Sequence, residues 1–307
     1  SRQPQCVPNC WKRCVEVIKL SMRPNLAQQQ GAFKMKHFGY LILPMMIFSS
    51  GYAYAGILNG TADDGTACSS SSPMMTADGS CRATPSKYVV TIYEMGVCTE
   101  DPFNGHANVS MDKSSCSVVF QNSTGFTNDY AASIGTAVAM TGTSSRPANG
   151  TYKYPYMIMK NEFTVNGSFT SNGTTYYSTG SGSAASSGTS AEYIDTLQNF
   201  GGPKCYSGYP DATIAGVGTI SAYLVNSSLV RADEDDVSAG NCTGIDRMVG
   251  MMNLDAPFTI SENTVEFSYS FILTDFGIQF FDESGSDSVP DGFGSGPFSG
   301  KFTIVDR

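Results

Sequence analysis

Apolar and polar residues alternate along much of this 307-residue chain, in runs too short for helices. In KYVVTIYEMGV, Lys87 to Val97, the residues Tyr88, Val90 and Ile92 fall on one face and Val89, Thr91 and Tyr93 on the other, the period of a strand. TVEFSYSFIL, Thr264 to Leu273, is clearer still. Val265, Phe267, Tyr269, Phe271 and Leu273 alternate with Glu266, Ser268 and Ser270, predicting a strand with one wet face. Further strands are predicted at Ser117 to Phe120, Thr136 to Met140, Tyr152 to Val165, Thr219 to Val225, Gly277 to Phe281 and Lys301 to Val305. Many short strands between Gly-, Asn- and Ser-rich turns predict an all-β fold, an antiparallel β-sandwich.

Helical signal is sparse. AEYIDTLQNFGG, Ala191 to Gly202, predicts two turns ended by glycines. Before it, STGSGSAASSGTS, Ser178 to Ser190, offers almost nothing to bury and predicts a mobile loop. The expected organisation is one sandwich domain over 56–307 with a flexible Gly/Ser-rich insertion around 166–210.

The pattern changes near the start. Met35 to Gly56 carries a short basic beginning at Lys36 and His37, an apolar stretch from Phe38 to Phe48 and an Ala53-Tyr54-Ala55 cleavage motif. That order is the physical requirement of a secretory signal peptide over 35–55, and the apolar stretch is well short of the ~20 residues a spanning helix needs. Residues 1–34 differ in composition, hold the lone Trp11 and three cysteines spaced C-x3-C-x3-C, and are read as an extension upstream of the native start that takes no part in the fold, the alternative being a genuine extension with a later processing site.

Charge then limits the partners. The chain carries 18 Lys and Arg against 27 Asp and Glu; seven of those bases and the single acid Glu16 precede Gly56, leaving a formal −15 on 56–307. So acidic a surface repels phosphate backbones and anionic lipid, which argues against nucleic acid and against a membrane-bound state after processing. Six cysteines remain in that region, Cys68, Cys81, Cys98, Cys116, Cys205 and Cys242. An even number in an exported chain implies disulfides, and proximity favours Cys68 with Cys81, Cys98 with Cys116 and Cys205 with Cys242 among the 15 connectivities that six cysteines allow.

Tyr88 to Cys98, Asn149 to Gly167, Leu254 to Ser261 and Gly300 to Asp306, in that order behind a signal peptide, resemble a group of small secreted Ser/Thr/Gly-rich β-proteins of marine bacterioplankton. The likeness spans most of 56–307 as strand patterns. It implies export, the all-β fold and a first short disulfide between Cys98 and Cys116, and it brings no catalytic residues. The Gly/Ser-rich insertion departs from the group's compact pattern.

Candidate chemistry is thin. His106 is the one histidine after Gly56 and lies in the turn-rich DPFNGHANVS with no nucleophile elbow nearby, so it reads as a solvated loop residue rather than a triad member. Multi-imidazole zinc or copper sites have no ligands. Two acidic loops, with Asp233, Glu234, Asp235 and Asp236 in one and Asp282, Asp287 and Asp291 in the other, concentrate oxygens in the way calcium requires, though neither has EF-hand spacing and a solvated acidic loop explains them as well. Two such carboxylates facing one cleft would make a glycosidase. Tyr152, Tyr154 and Tyr156 would share a strand face, with Pro155 suggesting a sheet edge, and an exposed row of that kind would stack on sugar rings. A half-buried sheet face is the plainer alternative. Eight Asn-X-Ser/Thr sequons, including those at Asn59, Asn149 and Asn166, fit chance turns in so Asn- and Ser-rich a chain. The expected function is an exported, non-enzymatic structural protein, periplasmic, on the cell surface or extracellular, acting by self-assembly. The alternative is a polysaccharide- or calcium-binding module, with calcium the one cofactor suggested.

Overall fold

The computed structural model describes residues 16–21, 68, 80–171, 173–200, 205–214, 217–233, 241–281, 289–296 and 299–307. Among these the protein is all-β, with a single 3-10 turn at Ala131–Ser133 and no α-helix. The strands in chain order begin with β1 (Glu16–Ser21), β2 (Ser80–Ala83), β3 (Lys87–Cys98), β4 (Cys116–Asp129), β5 (Thr143–Ser144), β6 (Gly150–Tyr152) and β7 (Tyr154–Lys160). Then follow β8 (Glu162–Asn166), β9 (Ser168–Ser171), β10 (Thr174–Ser178), β11 (Ala184–Ala185), β12 (Tyr193–Thr196), β13 (Gly208–Ile214) and β14 (Gly218–Val225). The last are β15 (Arg247–Leu254), β16 (Phe258–Ile260), β17 (Thr264–Ile272), β18 (Ile278–Phe281), β19 (Gly292–Ser295) and β20 (Ser299–Asp306).

Every pairing is antiparallel, and β3 is the spine of the main sheet. Along one side of it runs β4, from Cys116 opposite Cys98 to Asp129 opposite Val89. The other side is shared by β7, with Tyr154 opposite Cys98, and β8, with Asn166 opposite Lys87. The two are halves of one long strand broken at Asn161, whose buried carboxamide Nδ2 donates to the Leu197 carbonyl at 3.0 Å while the Asn161 backbone carbonyl accepts from the Leu197 N–H at 2.7 Å. Beyond the break the halves part company: β7 leads on to β15, β14 and β13, whereas β8 pairs with β12.

Both faces of the central strands are covered, which is why YPYMIM reads as an unbroken apolar run. On one face lie the sheet β1-β17-β20 and the sheet β2-β18-β19. Their Phe267, Phe271, Ile278, Phe280 and Phe293 share a core with Tyr88, Val90, Ile92, Met157 and Met159 of the main sheet, completing the sandwich. The opposite face is roofed by the segment between β3 and β4, whose Phe103 and Met111 close over Cys98, Tyr156, Ile158, Tyr223, Val225, Val249 and Met251. Three disulfides staple this framework: Cys68 to Cys81, Cys98 to Cys116 and Cys205 to Cys242, with S–S distances of 2.03, 2.01 and 2.05 Å. Loops of 13 to 37 residues closed in this way contribute on the order of 3 kcal/mol each in the chain-entropy picture.

Four expectations need correction. The segment 166–210 is not bare loop: it carries β9 to β12 and the start of β13, with Phe169 stacked on Tyr176 at 5.4 Å. Its hydroxyls do the work that apolar residues would do elsewhere. The buried Ser178 Oγ donates to the Ala191 carbonyl at 2.7 Å and accepts the Gly167 N–H at 3.2 Å. The helix expected at Ala191 to Gly202 is replaced by β12, because β8 presents an open edge that Tyr193 to Thr196 satisfy and Tyr193 packs at 6.4 Å on Phe293. Thr136 to Met140 forms only a bridge at Val138. Upstream, EVIKLS of the segment set aside as taking no part in the fold pairs with β17 along its whole length, since a short β-branched run satisfies that edge.

Candidate functional site

On the second face of the main sheet a group of polar and charged side chains is joined to one another and to the covering turn. In β3 the bulge after Ile92 turns Glu94 to this side, where it is 9% exposed. Its Oε1 accepts the Tyr156 hydroxyl at 2.6 Å and meets the Lys113 ammonium at 2.5 Å. Tyr156 can reach it because its ring lies over Gly96, where a Cβ would come within 2.5 Å of the phenol carbon. Burial, and then the adjacent carboxylate charge, push the Tyr156 phenol well above its ordinary value, so it stays a neutral donor.

The roof above this face is a strained turn. Asn104, Gly105 and His106 have φ of 47°, 60° and 72°, a run of left-handed residues of which only one is glycine. Asp101 holds it: one carboxylate oxygen accepts the Phe103 N–H at 2.9 Å and the other the Gly105 N–H at 2.8 Å. Phe103 then stacks on Tyr223 at 3.7 Å, and the His106 ring lies 5.1 Å from the same tyrosine. Arg231 locks the turn from the other side. Its Nη1 donates to the His106 carbonyl at 2.9 Å, its Nε to Ser207 Oγ at 3.3 Å, and its guanidinium carbon sits 5.4 Å from the Tyr223 ring. His106 is therefore half-buried and packed, not the solvated loop residue that the sequence suggests, and the cation beside it is engaged in holding backbone.

The tyrosines fall differently from the exposed row that would serve a sugar. Tyr152 ends β6, is 4% exposed and faces Phe258 in the main core with ring centroids 6.0 Å apart. Tyr156 is 1% exposed in the second-face cluster, and Tyr154 packs half-buried against that cluster with the Lys153 ammonium 5.7 Å from its ring. Pro155 does not mark an edge, since β7 lies between β3 and β15; it falls just past Tyr156, where the β15 ladder ends, so its missing N–H is tolerated. Of the acidic loop residues, Asp233 is exposed and Asp291 half-buried, its backbone paired with Phe281 and Ala184. Glu234, Asp235, Asp236, Asp282 and Asp287 lie outside the described residues. Among the described residues no three His, Cys, Asp or Glu side chains are grouped to hold a metal ion.

Sequence reasoning passed over Glu94, Lys113, Arg231 and the fully buried Arg82, whose guanidinium lies 4.5 Å from the Phe276 ring. For Glu94 a signal was available, a charge inside an otherwise apolar strand. For Arg231 there was none, because its partners Ser207 and His106 come from distant loops. Outside this face, the candidate contact features are strand edges. Ile194 of β12 is 60% exposed, whereas its neighbour Asp195 turns inward and accepts from the Ser295 N–H at 2.8 Å and Oγ at 2.6 Å. No family model, curated protein or solved structure matches this chain.

Proposed function

We propose that this chain is an exported structural protein of the cell surface or extracellular space, acting through its sheets rather than through a catalytic centre. The observation that carries the reading is the use of polar chemistry on the second face. Arg231, His106, Asp101, Glu94 and Tyr156 are joined to one another or to backbone in contacts that fasten a roof onto the sheet. Three disulfides fit an oxidising compartment, and a chain stapled at both faces suits a load-bearing module. No helix among the described residues is long and apolar enough to cross a membrane.

Fractionation of producing cells, followed by light scattering of the unreduced, unheated protein, tests this. Recovery from the surface or medium as an assembly supports it. A periplasmic monomer that titrates saturably with polysaccharide or calcium would replace it with the binding-module reading, and activity abolished by one Asp or Glu substitution would replace it with a hydrolase.

A further inference from the structure

β17 is the middle strand of its sheet only because β1 covers it. On one side β20 pairs with it from Thr264 to Ile272. On the other, Glu16 to Ser21 pair with Phe271 to Glu266, placing Leu20 opposite Phe267 and Ile18 opposite Tyr269. β1, however, lies upstream of Ala53-Tyr54-Ala55, so the processing that the proposed export requires would separate it from the sandwich. What remains would be an uncovered strand edge. It would run alongside Phe267, Ser268, Tyr269, Ser270 and Phe271, each at most 6% exposed with β1 in place. A row of free backbone donors and acceptors in so apolar a strand is a template for another strand.

The sequence of that strand specifies the occupant. F-S-Y-S-F, Phe267 to Phe271, is a palindrome centred on Tyr269. Antiparallel pairing about a two-fold axis at Tyr269 sets Phe267 opposite Phe271, Ser268 opposite Ser270 and Tyr269 opposite itself, the reciprocal arrangement that an isologous dimer demands. Charge permits it: Glu266 falls opposite Ile272, so no two carboxylates meet despite the strongly acidic surface.

We infer that the β17 edge is an assembly site masked by Glu16–Ser21 and that, once processing removes this strand, it takes the β17 edge of a second copy, joining two sandwiches through one continuous sheet. This rests on the proposed export and names the contact through which the structural role is exercised. With β1 paired the edge is filled and the chain stays single; without it pairing is open.

The test uses protein recovered after export, with its first residue determined. Chains beginning at Gly56 should run in light scattering at twice the chain mass, and the full 307-residue chain, refolded whole in one solution so that Glu16 to Ser21 can pair with β17, at the chain mass. Register is read by mixing exported Ser268→Cys chains with exported Ser270→Cys chains under mild oxidation. Directly opposed strand residues lie within disulfide reach, so the mixture should cross-link at least tenfold more than either variant alone. Monomeric chains beginning at Gly56, or equal cross-linking in all three samples, overturn the inference and leave export standing. Recovery of chains that still carry residues 16–21 overturns export, and the unmasking with it. If the cysteine variants fail to fold, the mass of the unsubstituted chain still decides.

Discussion

The Tyr156 hydroxyl donates to Glu94 Oε1 at 2.6 Å, across two neighbouring strands and on the face of the sheet away from the main core. A carboxylate this poorly hydrated depends on its partners, and Lys113 supplies the charge while Tyr156 supplies the second contact. Tyr156→Phe should therefore cost about 2 kcal/mol, measured as a lower urea midpoint with an unchanged slope. An unaltered midpoint would show that water replaces the phenol and that the roof is looser than the packing of Phe103 on Tyr223 indicates.

Tyr88 gives a prediction of opposite sign. Its hydroxyl is buried among the residues between the two layers and meets no hydrogen-bond partner among the described residues. Removing an unsatisfied buried polar group relieves a desolvation cost, so Tyr88→Phe should be neutral or stabilising by up to about 1 kcal/mol. A clear loss in thermal midpoint would reveal a partner that the phenol finds in solution.

Alkaline pH should unfold the protein through its phenols. Burial raises the ionisation of Tyr88, Tyr156 and Tyr269 far above the ordinary value of 10.0. The unfolded chain releases those protons first, so the stabilisation is complete below pH about 10 and is lost as pH rises past it, by as much as about 1.4 kcal/mol per pH unit for each phenol. Urea unfolding at pH 9, 10 and 11 should show midpoints falling steeply over the last interval. A flat series would mean that these phenols ionise in the folded state.

Gly96 is where the sheet makes room for Tyr156. A methyl group there would lie 2.5 Å from the phenol carbon and oxygen, and the ring is held from beyond by Glu94. Gly96→Ala should cost about 1–3 kcal/mol, and the penalty should shrink in a Tyr156→Ala background. Additive effects in that double-mutant cycle would place the strain elsewhere.

The strands that could be read directly from the sequence were those whose apolar residues alternate with polar ones, although the wet face expected of β17 is closed, with Ser268 and Ser270 only 3% and 4% exposed. Val90, Ile92 and Phe267 declare β3 and β17 by simple alternation, and the three cysteine pairings followed from spacing alone. The second face was illegible for a physical reason. A strand that puts apolar residues on both covered faces, such as β7, shows no alternation, so Tyr156 looked available for stacking when it was already enclosed by residues from 99–115 and 223–251. β12 was hidden for another reason: Tyr193 and Asp195 are held by the open edge of β8 and by Ser295 of β19, contacts that no local window contains.

The break at Asn161 has a bearing on how this fold tolerates change in length. β7 and β8 lie on the same rail, β3, yet each answers to a different neighbour, β15 in one case and β12 in the other. A residue inserted or lost near Asn161 can be absorbed at the junction without shifting Met157 and Met159 against β3 or exchanging the faces of Phe163 and Val165. The two wings of the sheet can thus drift independently over evolutionary time, with β3 as their common ruler.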